Sequence, residues 1–267
     1  MNTKCHAMSR WTVASVAMAA IFFSAAAPAE RGGGLAENGT RLSEAGHRSS
    51  KETVPLKDAR LKIEMNATDG DAGIQVFIDA DPWMSMAIYD PYGKLIFRST
   101  AEGRFAKQGG TELFLESAEP NFSELTLAKF LERFPVGQYS FRGKGMEGES
   151  FVGTATLTHN LPAGPTLVWP LDGQGLVNPN NAVFMWQTVA APNGSPIVGY
   201  QVLIVQRVSS FPAIPKVTLD VMMPATATSL AVPQGFLLPG TDYEWEVLAI
   251  EASGNQTLST SFFRTAP

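Results

Sequence analysis

From residue 61 onward, apolar and polar residues alternate. Leu61, Ile63 and Met65 alternate with Lys62 and Glu64, the two-residue period of a half-buried strand. Asp69-Gly70-Asp71-Ala72-Gly73 has the composition of a turn. Ile74, Val76 and Ile78 then complete a hairpin, and Met84, Met86 and Ile88 predict a third strand. Asp90-Pro91-Tyr92-Gly93 is a turn with Pro second and Gly fourth. Leu95 and Phe97 follow in a fourth strand, and Leu113 and Leu115 mark a fifth. Then the period changes. Leu127, Phe130, Leu131 and Phe134 fall on one face of a short helix. Asn121 and Glu124 form its expected N-cap pair, and Pro135 with Gly137 stops it. Tyr139 and Phe141 resume the alternation, and residues 151–157 predict a last strand. Residues 55–161 therefore read as a mostly antiparallel β domain with one helix.

Leu161-Pro162-Ala163-Gly164-Pro165 predicts a short, stiff connector. Beyond it, short apolar strands recur between turns rich in Pro, Gly and Asn, the spacing of a β-sandwich. Val183-Phe184-Met185-Trp186 offers a strand with one large aromatic. Tyr200 and Leu230 lie in later strands, and Leu237-x-Pro239-Gly240-Thr241-x-Tyr243-x-Trp245-x-Val247-x-Ala249 follows. These pieces, in this order, resemble a fibronectin type III domain over residues 162–267. The resemblance implies Trp186 on strand B inside the core, Tyr200 on strand C and Leu230 on strand E. It also implies Tyr243 at the corner before strand F, its hydroxyl bonded to nearby backbone. The stretch 208–224, with Pro212, Pro215 and Pro224, departs from the family's short strands. The first domain resembles an immunoglobulin-like module loosely, through Pro135-Val136-Gly137-Gln138-Tyr139-Ser140-Phe141.

Composition adds a compartment. Lys4 and Arg10 precede an uncharged run over residues 11–29, which ends in Ala27-Pro28-Ala29. This is the pattern of a secretory signal peptide over residues 1–29, cleaved after Ala29. An uncleaved anchor is the competing reading, against which the run is rich in Ala and interrupted by Thr12, Ser15 and Ser24. Residues 30–54, with Gly32-Gly33-Gly34 and almost no large apolar side chain, read as a disordered linker. The chain has 20 basic and 25 acidic residues, so losing Lys4 and Arg10 moves the net charge from −5 to −7. No basic stripe suits a nucleic acid. Cys5 is the chain's 1 cysteine and leaves with the leader. The exported chain is then free of disulfides, thiolate nucleophiles and Cys-ligated metal.

Catalytic chemistry is poorly supplied. Of 3 His, His6 and His47 lie in the leader and linker. His159 remains, with no Gly-x-Ser-x-Gly elbow before it, and reads as a strand-end residue. Asp69, Asp71, Asp79 and Asp81 cluster in sequence, but without the spacing of a calcium loop, and read as turn residues. Glu112, Glu116 and Glu119 offer the two carboxylates that glycoside hydrolysis needs. Trp83 and Tyr89 share one face of the third strand, with Tyr92 in the next turn. If exposed, those rings would stack on a sugar or anchor a protein. If covered, they belong to the core.

The whole reads as an exported, disulfide-free, all-β protein of bacterial type with two sandwich-like domains. It is expected to be secreted or periplasmic, and non-catalytic. Its partner would be a protein or polysaccharide of the cell envelope or surface, met through Trp83, Tyr89 and Tyr92. No cofactor, metal, nucleic acid or membrane span after cleavage is expected. The alternative is a secreted or periplasmic, glycan-directed hydrolase using carboxylates, with the fibronectin type III domain as an accessory.

Overall fold

The computed structural model describes residues 52–209, 213 and 216–267. The expected signal peptide and linker residues 30–51 lie outside the described residues. Strand β1 (Thr53–Pro55) takes in Thr53 and Val54, two positions that the sequence pattern leaves in the linker. It pairs in parallel with a later strand, and Val54 and Leu56 pack on the first core, which gives this segment a reason to be ordered.

β2 (Asp58–Asn66) and β3 (Asp71–Tyr89) form the expected hairpin. Asn66 closes it: its Oδ1 accepts from Thr68 N at 2.9 Å and Asp69 N at 3.0 Å. β3 is one strand of 19 residues where the sequence predicts two. Asp79-Ala80-Asp81-Pro82 looks like a break, yet the chain stays extended. Pro82 falls in the register shift between Asp79 and Trp83, where its missing N–H costs no ladder bond. The C-terminal half of β3 pairs with β4 (Leu95–Thr100), and the N-terminal half with β5 (Gly110–Glu116).

Helix α1 (Leu127–Arg133) buries Phe130 against the first core. Its N-cap is Thr126, whose Oγ1 accepts from Lys129 N at 3.4 Å, and not Asn121. Asn121 instead bridges Asp71 and donates Nδ2–H to Asp69 O at 2.7 Å. β6 (Gly137–Gly145) and β7 (Ser150–Leu157) complete this half, with β1 along β7. Tyr139 sits at the entrance to β6 and donates its hydroxyl to Pro135 O at 3.0 Å. This bond holds the turn between α1 and β6, as buried tyrosines do at sandwich corners.

The second half begins with β8 (Leu167–Trp169), β9 (Leu176–Val177), β10 (Val183–Trp186) and β11 (Ile197–Gln206). β12 (Thr218–Pro224), β13 (Ser229–Ala231), β14 (Asp242–Glu251) and β15 (Gln256–Thr265) follow. β13-β10-β8 form a small sheet, and β15-β14-β11-β12 run side by side in the large one. Between them lies a second core holding Phe184, Trp186, Tyr200, Tyr243 and Trp245. The Tyr243 hydroxyl accepts from Leu238 N at 2.9 Å and the Tyr200 hydroxyl from Val189 N at 2.8 Å, so both buried phenols are satisfied. In the departing stretch, Thr218–Pro224 forms a regular strand on β11; residues 210–212, 214 and 215 lie outside the described residues.

The two cores share one sheet. β15 pairs in parallel with β2, placing Gln256, Thr257 and Leu258 beside Glu64, Met65 and Asn66. The large sheet therefore runs without interruption in the order β1-β7-β6-β3-β2-β15-β14-β11-β12. The connector is not a spacer. Pro162 and Pro165 are buried, and a Cβ on Gly164 would come within 2.5 Å of Ala67 Cβ and 2.6 Å of Ser259 Oγ. Only glycine lets the chain pass this closely. Among the described residues no helix is long and apolar enough to cross a membrane.

Candidate functional site

The three aromatics singled out in the sequence separate in space. Trp83 is 6% exposed and belongs to the first core, a correction to its expected place at a binding surface. The reason is local. The register shifts again between Trp83 and Ser85, which turns Trp83 to the face of Met86 and Ile88. Its ring lies on Gly110, where a Cβ would stand 2.6 Å from the indole. Tyr89 is half-buried, with the Arg142 guanidinium 5.2 Å above its ring. Tyr92 is 81% exposed. Its turn is rigid, because Asp90 Oδ1 accepts from Tyr92 N at 3.0 Å and Lys94 N at 2.8 Å. Pro91, before it, packs on Gly137, and Val136, the residue before that glycine, is exposed as well.

The carboxylates separate differently. Glu112 pairs across the ladder with Asp79 and stays exposed. Glu116 and Glu119 meet Glu64, their oxygens all within 4.8 Å of one another. Strand register builds this cluster. Glu116 on β5 stands opposite Gln75 on β3, and Gln75 opposite Lys62 on β2. One step along, Gly73 stands opposite Glu64, and Glu64 opposite Gln256 on β15. Glu119 folds down over Gly73, where a Cβ would be 2.7 Å from its Oε1. Gln75 Nε2 donates to Glu116 Oε1 at 3.0 Å, Gln256 Nε2 donates to Glu64 Oε2, and Lys62 Nζ donates to Gln256 Oε1 at 2.8 Å.

Such crowding perturbs ionisation. Burial, then the Glu64 and Glu116 charges, push the Glu119 carboxyl up to about 8. Burial raises Glu64 as well, opposed by its hydrogen bond from Gln256 and by Lys62. Asp71, buried at the start of β3, is raised to about 6 by burial and by Asp69. Lys62 is lowered by burial. A stability profile follows. Glu119 ionises near 4.5 when unfolded and near 8 when folded, so between those values the folded state holds the extra proton. Stability should thus fall as pH rises through that window, and level off above it. Melting temperature in metal-free buffer should drop steadily from pH 5 to pH 8.5, and Glu119→Gln should flatten the slope. A rising profile would contradict the burial of this group.

The other candidates stay apart. Asp81 pairs with Lys57 at 2.8 Å, Asp69 accepts from Asn66 Nδ2 at 3.0 Å in the hairpin turn, and Asp79 lies in the β2–β3 ladder. No calcium loop forms from these four. His159 is half-buried, not a free strand end, with Nε2 bonded to Phe134 O at 2.8 Å. An open cleft of 340 Å³ lies away from the glutamates, beside Leu176. Of its charged side chains, Arg264 meets Asp242 at 2.8 Å and Arg207 stacks on Phe262 at 4.8 Å.

No family pattern and no curated protein matches the sequence. Solved structures give distant likenesses. The fibronectin(III)-like modules of Clostridium thermocellum CbhA share 10% identity over 79% of this chain and 93% of theirs, with a TM-score of 0.32. The FN1–FN3 domains of chicken CNTN1 share 13% over 81% and 68%, with a TM-score of 0.28. The spore cortex lytic enzyme SleM of Clostridium perfringens shares 14% over 40% of this chain and 28% of that enzyme, with a TM-score of 0.26. The argument for the fold is internal: a β13-β10-β8 sheet against β15-β14-β11-β12, with Trp186 and Tyr200 buried between them and a tyrosine corner at Tyr243. On those grounds the C-terminal half is fibronectin type III-like in fold.

Proposed function

We propose that this is an exported, secreted or periplasmic, non-catalytic protein of bacterial type. It binds or scaffolds a protein or polysaccharide of the cell envelope. On this reading residues 55–161 and 162–267 are the two domains. The exposed turn carrying Tyr92, which follows half-buried Tyr89 at the end of β3, is the contact surface; Trp83, buried further back along β3, takes no part in it. The observation that carries this reading is Tyr92. A tyrosine 81% exposed on a turn locked by Asp90 is a large apolar group held ready at little entropic cost. Nothing in the intramolecular packing requires it there.

The test compares wild type with Tyr92→Ala on a glycan array and in pull-downs from envelope extract. Folding should be unchanged within about 0.5 kcal/mol, as for an exposed substitution. Capture should fall at least tenfold, on the order of 2 kcal/mol for a buried anchor. Unchanged capture places the contact elsewhere. One observation favours the hydrolase alternative: Glu116 and Glu119 do come together, and a carboxyl held protonated to about 8 suits a general acid. That reading requires glycan turnover by the purified protein, abolished by Glu119→Gln.

A further inference from the structure

We propose that Glu64, Gln75, Glu116 and Glu119 form a calcium site that ties β2, β3, β5 and the loop after β5 together beside the β2–β15 seam. Three carboxylates converge with their oxygens within 4.8 Å. Ca²⁺ binds oxygens at about 2.3–2.6 Å, so ligands across the ion stand about 4.6–5.2 Å apart. The spacing fits one ion. The second observation is Gln75. It is 2% exposed, its Nε2 is committed to Glu116, and its buried Oε1 has no partner. A buried amide oxygen with no partner, on the side chain whose Nε2 reaches Glu116, is an acceptor that a cation or its water would satisfy.

Charge argues the same way. Among the described residues Lys62 is the cation tied to the cluster, through Gln256, which also donates to Glu64. Lys62 donates to Gln256 Oε1, so three carboxylates converge with one ammonium hydrogen-bonded beside them. The donors are all hard oxygens, with no His or Cys, which excludes the soft metals' preferred set. Mg²⁺ demands near-ideal octahedra at about 2.0–2.1 Å and keeps its waters, whereas Ca²⁺ accepts irregular cages of six to eight oxygens. The position gives the ion a task. Glu64 is held by Gln256 of β15, and Glu119 arrives from the loop after β5. An ion on both would fix the loop of Glu119 over β3 and hold Glu64 where Gln256 reaches it. The sequence reading assigns no metal because Glu64 and Gln75 stand far from Glu116 and Glu119 along the chain.

The experiment uses the full exported chain, stripped with EDTA, at pH 8 in 0.15 M salt. Titration calorimetry with CaCl₂ should show one site per chain. Melting in 1 mM CaCl₂ should exceed that in EDTA by several degrees, and 1 mM MgCl₂ should do less. Glu119→Gln and Glu116→Gln should each weaken calcium binding at least tenfold while folding in EDTA, since each removes a repelling charge. No heat and no calcium-dependent melting shift in the wild type overturns the proposal. So does an equal response to Mg²⁺, or a calcium response that survives in both variants. Calcium binding without any effect on Tyr92-dependent capture leaves this site standing and separates it from the contact surface.

Discussion

Trp245→Ala should cost about 4–5 kcal/mol, the upper end for removing a large buried aromatic. Trp245 is fully buried in the middle of β14, which is paired on both sides by β11 and β15. Its ring meets Phe184 edge-on at 4.9 Å between centroids, the geometry that aromatic quadrupoles favour. Its Nε1–H also donates to Pro170 O at 2.9 Å, so truncation leaves a carbonyl unpaired as well as a cavity. Trp186 provides the internal comparison. It is equally buried, 5.8 Å from Tyr200, but its Nε1 has no partner. Trp186→Ala should therefore cost less, about 3–4 kcal/mol, since no hydrogen bond is lost with the ring. Urea unfolding followed by circular dichroism would measure both. A loss below about 1 kcal/mol at Trp245 would mean that the sheet closes over the gap, and the core assignment would fail. Marginal domains hold only about 5–15 kcal/mol in total, so either change should lower yield as well as stability.

The C-terminal half was legible because its landmarks are local. Trp186, Tyr200, Leu230 and Tyr243 each sit in a short string that sets their own strand, and the tyrosine corner closes within five residues of chain. The first half was legible as far as strand parity holds. Parity fails at Pro82, where register shifts on both sides of the strand move Trp83 from one face to the other. No composition signal marks a bulge, so an aromatic read as exposed became core. The glutamates failed for another reason. Lys62 and Glu64 were correctly read as the polar face of β2, but a polar face is solvent-exposed only while nothing covers it. Here the Gln256 side chain of neighbouring β15 and the carboxylates of Glu116 and Glu119 crowd it, leaving Glu64 2% exposed. The pairing of β2 with β15 joins positions about 190 residues apart, a separation that no local periodicity can report.

That long-range seam should depend on Asn255 more than on any apolar contact. Gly254-Asn255 reads as an ordinary turn, yet the Asn255 side chain is 1% exposed and points across to the first core. Its Oδ1 accepts from Ile63 N at 2.9 Å. Its Nδ2 donates to Thr158 O and Thr158 Oγ1, both at 3.0 Å, and to Asn160 O at 3.2 Å. One carboxamide thus satisfies β2 and the segment after β7 together. Asn255→Ala would strand the buried Ile63 N–H and release the Thr158 carbonyl. At about 1–3 kcal/mol for each buried group left unpaired, the expected loss is about 2–4 kcal/mol. Asn255→Asp keeps an acceptor for Ile63 but sets a carboxylate against two carbonyls and beside Glu251, so it should be no better than Ala. Coupling is the sharper readout. With the seam intact, tryptophan fluorescence and far-ultraviolet dichroism should report one urea transition, because a shared sheet makes the two cores unfold together. With Asn255→Ala the transitions should separate, one core melting before the other. Coincident transitions and a loss under about 0.5 kcal/mol would show that the parallel pairing of Glu64–Asn66 with Gln256–Leu258 holds the halves without this side chain.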